Sequence, residues 1–130
     1  MIVDSSALVA IALGESDSDR LRMAIRQAAA PRWSVVSSVE AHIVLGSRLS
    51  GADANRARQL ISGLGLVLEP VTVAQAQLAR EAYDRFGKGR HPARLNLGDC
   101  FSYALAKATG EPLLFKGDDF ALTDVAAVTY

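Results

Sequence analysis

Five carboxylates stand where an apolar run gives way to a turn or a helix start: Asp4, Glu40, Asp99 and the adjacent Asp118 and Asp119. Singly, each has an ordinary structural explanation. Asp4 precedes a helical stretch and can cap it. Ser37-x-x-Glu40 has the spacing of a capping box, and Asn96-x-x-Asp99 is similar. Acids at helix starts also suit the macrodipole, and Asp118 and Asp119 can form a turn beside Gly117. Gathered at one pole of a sheet, the same acids would repel one another and lose ionisation unless a cation neutralised them. A hard cation such as Mg²⁺ or Mn²⁺ takes oxygen ligands from one or two carboxylates, with water and phosphate oxygens completing its shell. The chemistry of such a site is metal-assisted attack of water on a phosphodiester.

The surrounding pattern brings the acids to one pole. Residues 1–3 are short, apolar and partly β-branched, which predicts a buried parallel strand ending at Asp4. Ser5 or Ser6 can cap the helix of the apolar run that follows. A second helix is expected over 18–30, closed by Pro31, and a second strand over 33–36. Residues 37–40 open a third helix towards Leu49, and Asp53 caps a fourth through Leu60 or Ile61. A turn and third strand follow over 63–70, and Thr72 caps a fifth helix reaching Phe86. Residues 87–94 form a glycine-broken basic loop, Asn96 caps a sixth helix over 97–108, and a fourth strand covers 113–115. Residues 125–128 can add a short fifth. Strands alternating with helices imply one α/β domain over 1–130, its parallel sheet of four to five strands wrapped by helices on both faces. Ligands of such sheets gather beyond the carboxyl ends of the strands, where Asp4 falls.

Composition narrows the class. The 130 residues are half hydrophobic and 22% charged, which excludes disorder. Mean hydropathy is +0.17, an apolar excess that a partner chain can cover. Fourteen basic and fourteen acidic residues cancel, so a nucleic-acid partner must be argued from a local patch. The single cysteine, Cys100, excludes an internal disulfide and fits a reducing, cytoplasmic setting. Asp4 interrupts the apolar start, which lacks a basic leader, so no signal peptide is expected. No run reaches the ~20 apolar residues of a membrane helix, so a soluble protein is expected.

Met1-Ile2-Val3-Asp4-Ser5-Ser6, the helix-start Glu40, Leu95-Asn96-Leu97-Gly98-Asp99-Cys100 and Leu114-Phe115-Lys116-Gly117-Asp118-Asp119-Phe120 together resemble the PIN-domain ribonucleases, and more narrowly the VapC-type toxins of bacterial toxin–antitoxin pairs. The resemblance spans essentially the whole chain. It implies acids meeting at the centre of a parallel sheet, Mg²⁺- or Mn²⁺-dependent cleavage of RNA, a homodimer and a cognate antitoxin. Asp4 and Asp99 match the family's metal ligands, Glu40 the acid completing the site, and Asp118 the fourth acid. Many PIN domains place an acid three residues before the Phe, where this chain has Gly117. Side-chain alternation in an extended loop puts Asp118 on the side of Phe120 and turns Asp119 outward. Asp118 is therefore the expected site acid, with Asp119 accessory.

Ser6 is spaced to hold a phosphate or a water, and Asn96 to touch substrate; capping is the default for both. Lys88, Arg90, His91 and Arg94 precede the helix of Asp99 and, with Lys116, can hold RNA phosphates, or they can be a solvated basic loop. His91 lacks a partner at metal-ligand spacing. Cys100 is read as packing, and Trp33 and Tyr103 as core or interface. A receiver-type phospho-acceptor domain needs an acidic pair at the first strand and an acceptor Asp after a central one; this chain offers Asp4 alone and Glu69-Pro70. An Asp-x-Asp phosphatase fails at Ser5-Ser6, and dinucleotide binding lacks the glycine-rich first turn. A PIN module used only for binding stays open as the alternative to the nuclease.

Overall fold

The structure is a computed structural model describing residues 1–130. Its sheet has four parallel strands in the order β3-β2-β1-β4, with β1 Ile2–Val3, β2 Arg32–Ser34, β3 Val67–Glu69 and β4 Leu113–Leu114. Side-chain alternation sorts the central strands between two cores. Ile2 and Leu113 face one cluster, and Val3 and Leu114 face the other.

Helices α1 Ser5–Leu13, α2 Ser18–Gln27, α3 Val35–Arg48 and α4 Gly51–Ser62 cover the Val3 face, packing Leu8, Ile11, Leu21, Ile25, Leu45 and Ile61. Helices α5 Val73–Phe86 and α6 Leu97–Thr109 cover the Ile2 face with Ala82, Phe86, Tyr103 and Leu105. Both faces are wrapped, as the strand–helix alternation predicts. α1 is buried nearly all round, from Ala7 to Ile11, between α2, α3 and α4. That burial fixes the direction of its first residue and so of Asp4 before it.

The elements differ from the sequence expectation in four places. Val35 and Val36 begin α3 instead of ending β2, because Ser34 accepts the Val36 N–H at 3.2 Å and caps the helix there. The β-branched run reads as strand, but the cap wins. Glu40 is consequently inside α3, and no capping box forms with Ser37. Asp53 does not cap α4; Ser50 precedes that helix, and Asp53 pairs with Arg56. The expected fifth strand shrinks to one parallel bridge, Leu113 to Ala127, since only the Leu113 backbone bonds to this segment.

Candidate active site

The strand order leaves a crevice beyond the carboxyl ends of β1 and β4, where the chain leaves β1 towards one side of the sheet and β4 lies on the other. Asp4 closes β1 and is also the N-cap of α1. Its Oδ2 accepts the Ser6 N–H at 2.9 Å and the Ser6 hydroxyl at 2.6 Å, while its Oδ1 accepts the Ser102 hydroxyl at 2.5 Å. The carboxylate is 1% exposed.

Glu40 reaches the same cleft from the second turn of α3, where its Oε2 accepts the Ser5 hydroxyl at 2.6 Å. Gly98 makes room for it: a Cβ there would lie 2.1 Å from Oε2. Burial, and then the charge of Asp4, push the Glu40 carboxyl above its ordinary range, against the donors Ser5 and Asn96. Asp99 opens α6 in a reciprocal capping box. Its Oδ2 accepts the Asn96 N–H at 2.8 Å, and Asn96 Oδ1 accepts the Asp99 N–H at 2.9 Å. Burial pushes Asp99 up to about 7, helped by the charges of Asp4, Glu40 and Asp119. In both Asp4 and Asp99 the capping role coincides with a place in the cleft.

At the end of β4 the geometry differs from the sequence expectation. Asp119 lines the cleft, and Asp118 does not. Gly117 takes φ +104, a left-handed conformation that suits glycine, and the chain then enters a 3₁₀ turn, Phe120–Leu122, whose N-cap is Asp119 in helical conformation. Alternation belongs to extended chain, so it fails across this turn. Phe120 is buried as expected, and packs on Phe115.

The cleft holds about 270 Å³ and is also lined by Ser5, Ser6, Glu15, Arg48, Asn96 and Lys116. The Lys116 N–H donates to Ser6 Oγ at 3.0 Å, and its ammonium pairs with Asp17. Lys88, Arg90 and Arg94 are not in the lining. Arg90 lies 3.4 Å from Asp84 and over the Tyr83 ring, while His91 accepts the Ala93 N–H and meets Phe86 edge-on. Cys100 is buried, and burial pushes its thiol up to about 11, consistent with packing. Sequence reading missed Ser5, Glu15 and Arg48 in the lining and Ser102 beside Asp4. Ser102 carried a signal, a hydroxyl one turn beyond Asp99 on an otherwise apolar face, but its partner is visible only in three dimensions.

No three of these acids form a ready three-ligand metal centre. The donor set is nonetheless all oxygen, crowded and short of positive charge, which suits a hard cation that keeps water in its shell. Asp4 and Asp99 are the buried members.

The PIN domain family model matches residues 1–126. Ribonuclease VapC of Mycolicibacterium smegmatis is 48% identical over 128 residues, covering 98% of this chain and 99% of that protein. Ribonuclease VapC42 of Mycobacterium tuberculosis is 45% identical over 126 residues, 96% of each. Among solved structures, Mycobacterium tuberculosis VapC20, a sarcin-ricin loop cleaving toxin, superposes with TM-score 0.77 at 21% identity over 99% of this chain and 98% of that one. A toxin–antitoxin complex from Klebsiella pneumoniae gives 0.73 at 15%, over 99% and 97%. An acid-lined crevice at the switch point of a four-stranded parallel sheet, joined to end-to-end similarity at this level, makes the chain a member of the PIN-domain family, among its VapC ribonucleases.

Proposed function

We propose that this chain is an endoribonuclease, dependent on Mg²⁺ or Mn²⁺, that acts as the toxin of a toxin–antitoxin pair. The observation carrying this reading is the cleft itself: Asp4, Glu40, Asp99 and Asp119 share it, and no cation of the chain lies within 4.0 Å of any of them. The names of the relatives supply the substrate class, RNA.

Asp4 and Asp99 would hold the ion, with Glu40 and Asp119 completing the acidic wall. A bound divalent ion supplies charge neutralisation to the phosphodiester and lowers the pKa of water. Glu40, held by the Ser5 hydroxyl at Oε2, would take a proton from the attacking water; its raised pKa suits that task. Ser6 and Asn96 orient Asp4 and Asp99. Arg48 and Lys116 at the rim, and Lys88, Arg90 and Arg94 further out, would bind backbone phosphates with an affinity that falls as salt rises.

An antitoxin partner is supported by the toxin–antitoxin assembly among the structural neighbours. An apolar groove lined by Val39, Ile43 and Leu97 shares Glu40 and Asn96 with the cleft. An antitoxin helix seated there would carry an Arg into the acids, where a guanidinium meets carboxylates bidentately. Exposed apolar residues outside that groove, Met23, Val67, Leu68, Val73 and Leu122, leave surface for a homodimer, which light scattering across micromolar concentrations would test by the absence or presence of a dimer mass. No helix is long and apolar enough to cross a membrane, and we place the enzyme in the cytoplasm with its RNA.

The deciding experiment frees the protein of antitoxin and incubates it with RNA. Cleavage should require Mg²⁺ or Mn²⁺, stop with chelator, and leave 5′-phosphate and 3′-hydroxyl ends. Cyclic phosphate ends would mean a route through the 2′-hydroxyl and would overturn the mechanism.

A further inference from the structure

Two serines far apart in sequence meet beneath the site. Ser37 Oγ lies 2.9 Å from Ser102 Oγ, and Ser102 donates to Asp4 Oδ1 at 2.5 Å. Both serines are 0% exposed, so no solvent competes for these bonds. A serine hydroxyl has one proton, and Ser102 gives its proton to Asp4. The Ser37–Ser102 contact must then have Ser37 as the donor. The chain of bonds runs one way, from Ser37 to Ser102 to Asp4.

Counting lone pairs shows what this does. A carboxylate offers about four acceptor sites, two on each oxygen. On Asp4, Oδ2 already accepts both the N–H and the hydroxyl of Ser6, and Oδ1 accepts Ser102. One site remains, on Oδ1, the oxygen that Ser102 grips. We propose that Ser37 and Ser102 are positioning residues that aim this last lone pair of Asp4 at the cation, so that Asp4 binds it through Oδ1 alone.

The placement supports the assignment. Ser37 is three residues before Glu40 on α3, and Ser102 three residues after Asp99 on α6. One helical turn separates each serine from an acid. The pair therefore locks together the elements that carry Asp4, Glu40 and Asp99. Two alanines would pack α3 against α6 without the desolvation cost of buried hydroxyls; what the hydroxyls add is direction.

This inference rests on the metal-site reading, and the test keeps the two separable. Mn²⁺ affinity is measured by calorimetric titration on the intact purified chain, and folding by denaturant unfolding in chelator. Ser102→Ala should weaken Mn²⁺ binding by roughly tenfold or more, as loss of a partner to a metal ligand does. Ser37→Ala should weaken it by a smaller factor. Ser102→Cys, which keeps the size and a weak S–H donor, should fall between wild type and Ser102→Ala. High Mn²⁺ should restore RNA cleavage by the serine variants, a rescue that a merely structural role would not give. If Asp4→Asn leaves Mn²⁺ binding unchanged, the metal reading fails. If Asp4→Asn weakens it and folded Ser102→Ala does not, the metal reading stands and the clamp is wrong. Should Ser102→Ala not fold, unchanged affinity in both Ser37→Ala and Ser102→Cys overturns the clamp equally.

Discussion

The two ends of the sheet carry similar acids under opposite conditions. At the amino end, Glu111 meets both the Met1 ammonium and the Arg32 guanidinium, and Arg32 also reaches Glu69 at 3.3 Å. At the carboxyl end, Asp4, Glu40 and Asp99 accept from uncharged donors, hydroxyls and amides. The nearby Lys116 gives its charge to Asp17 instead. One end is neutralised within the chain, and its charges hold strand starts together. The other keeps its carboxylates oriented but without an ion-pair partner within the chain, the electrostatic setting that the proposed cation would relieve. Burial alone does not distinguish a structural acid from a working one; the sign of the partner does.

The largest effect should come from breaking the unbalanced end. Asp4→Asn and Asp99→Asn should each lower RNA cleavage roughly a hundredfold or more, since transition-state stabilisation worth several kcal/mol is lost. Both should also erase the rise in melting temperature that Mg²⁺ produces by binding only the folded state. A Mg²⁺-induced rise that survives both substitutions would put the cation elsewhere and end the contrast between the poles.

Next in size is the pair at the end of β4. Asp119→Asn should cut cleavage by roughly tenfold or more, whereas Asp118→Asn should leave it within about twofold, as expected for a surface change. The reverse order, with both variants folded, would mean that Asp118 and not Asp119 serves the site.

How far these contrasts were legible in the sequence varied with their physical origin. Asp4 and Asp99 were readable because the local pattern that places them, a strand end followed by a cap, is written in adjacent residues. The place of Glu40 at this pole was readable but its mid-helix position was not, because Val35 and Val36 favour strand until Ser34 caps the helix before them. The place of Asp119 in the cleft was hidden by a 3₁₀ turn that breaks side-chain alternation. Ser37 and Ser102 were hidden by distance: their contact spans 65 residues and exists only once α3 lies on α6. Short-range chemistry is legible in one dimension, and the orientation of a ligand by its neighbours is not.

A smaller effect appears in the pH dependence of the chelated protein. Burial and the charges of Asp4, Glu40 and Asp119 hold Asp99 up to about 7 in the fold, against 3.8 for the ordinary group. Between those values the native state binds more protons than the unfolded state, so stability falls as pH rises. Glu40 is shifted in the same direction. Asp17 and Asp124, held low by hydrogen bonds from Lys116 and Tyr103, lose their contribution only as pH drops below the ordinary range. Calorimetry in chelator should show the melting temperature declining from pH ~4 to ~7. Asp99→Asn should flatten that decline, and Mg²⁺ should oppose it at pH 7. A wild-type curve that rises across this window would show that the site acids are not crowded in solution.

The smallest effect should come from the balanced end. Glu111→Gln removes one carboxylate from two cations, and Arg32 keeps Glu69 as a partner. The Glu111 side chain is 23% exposed, so the pair is neither fully screened nor fully desolvated. Exposed pairs contribute between about 0 and 1 kcal/mol, and the loss here should sit near the upper limit, at about 1 kcal/mol. Added salt should narrow the difference between wild type and variant, because screening weakens the interaction that the variant lacks. Cleavage per folded molecule should stay within about twofold, since Glu111 precedes β4 at the end of the sheet away from Asp119. A tenfold loss of cleavage at unchanged fold would show that β1 transmits disturbance from Met1 to Asp4, and the two poles would then have to be treated as one unit.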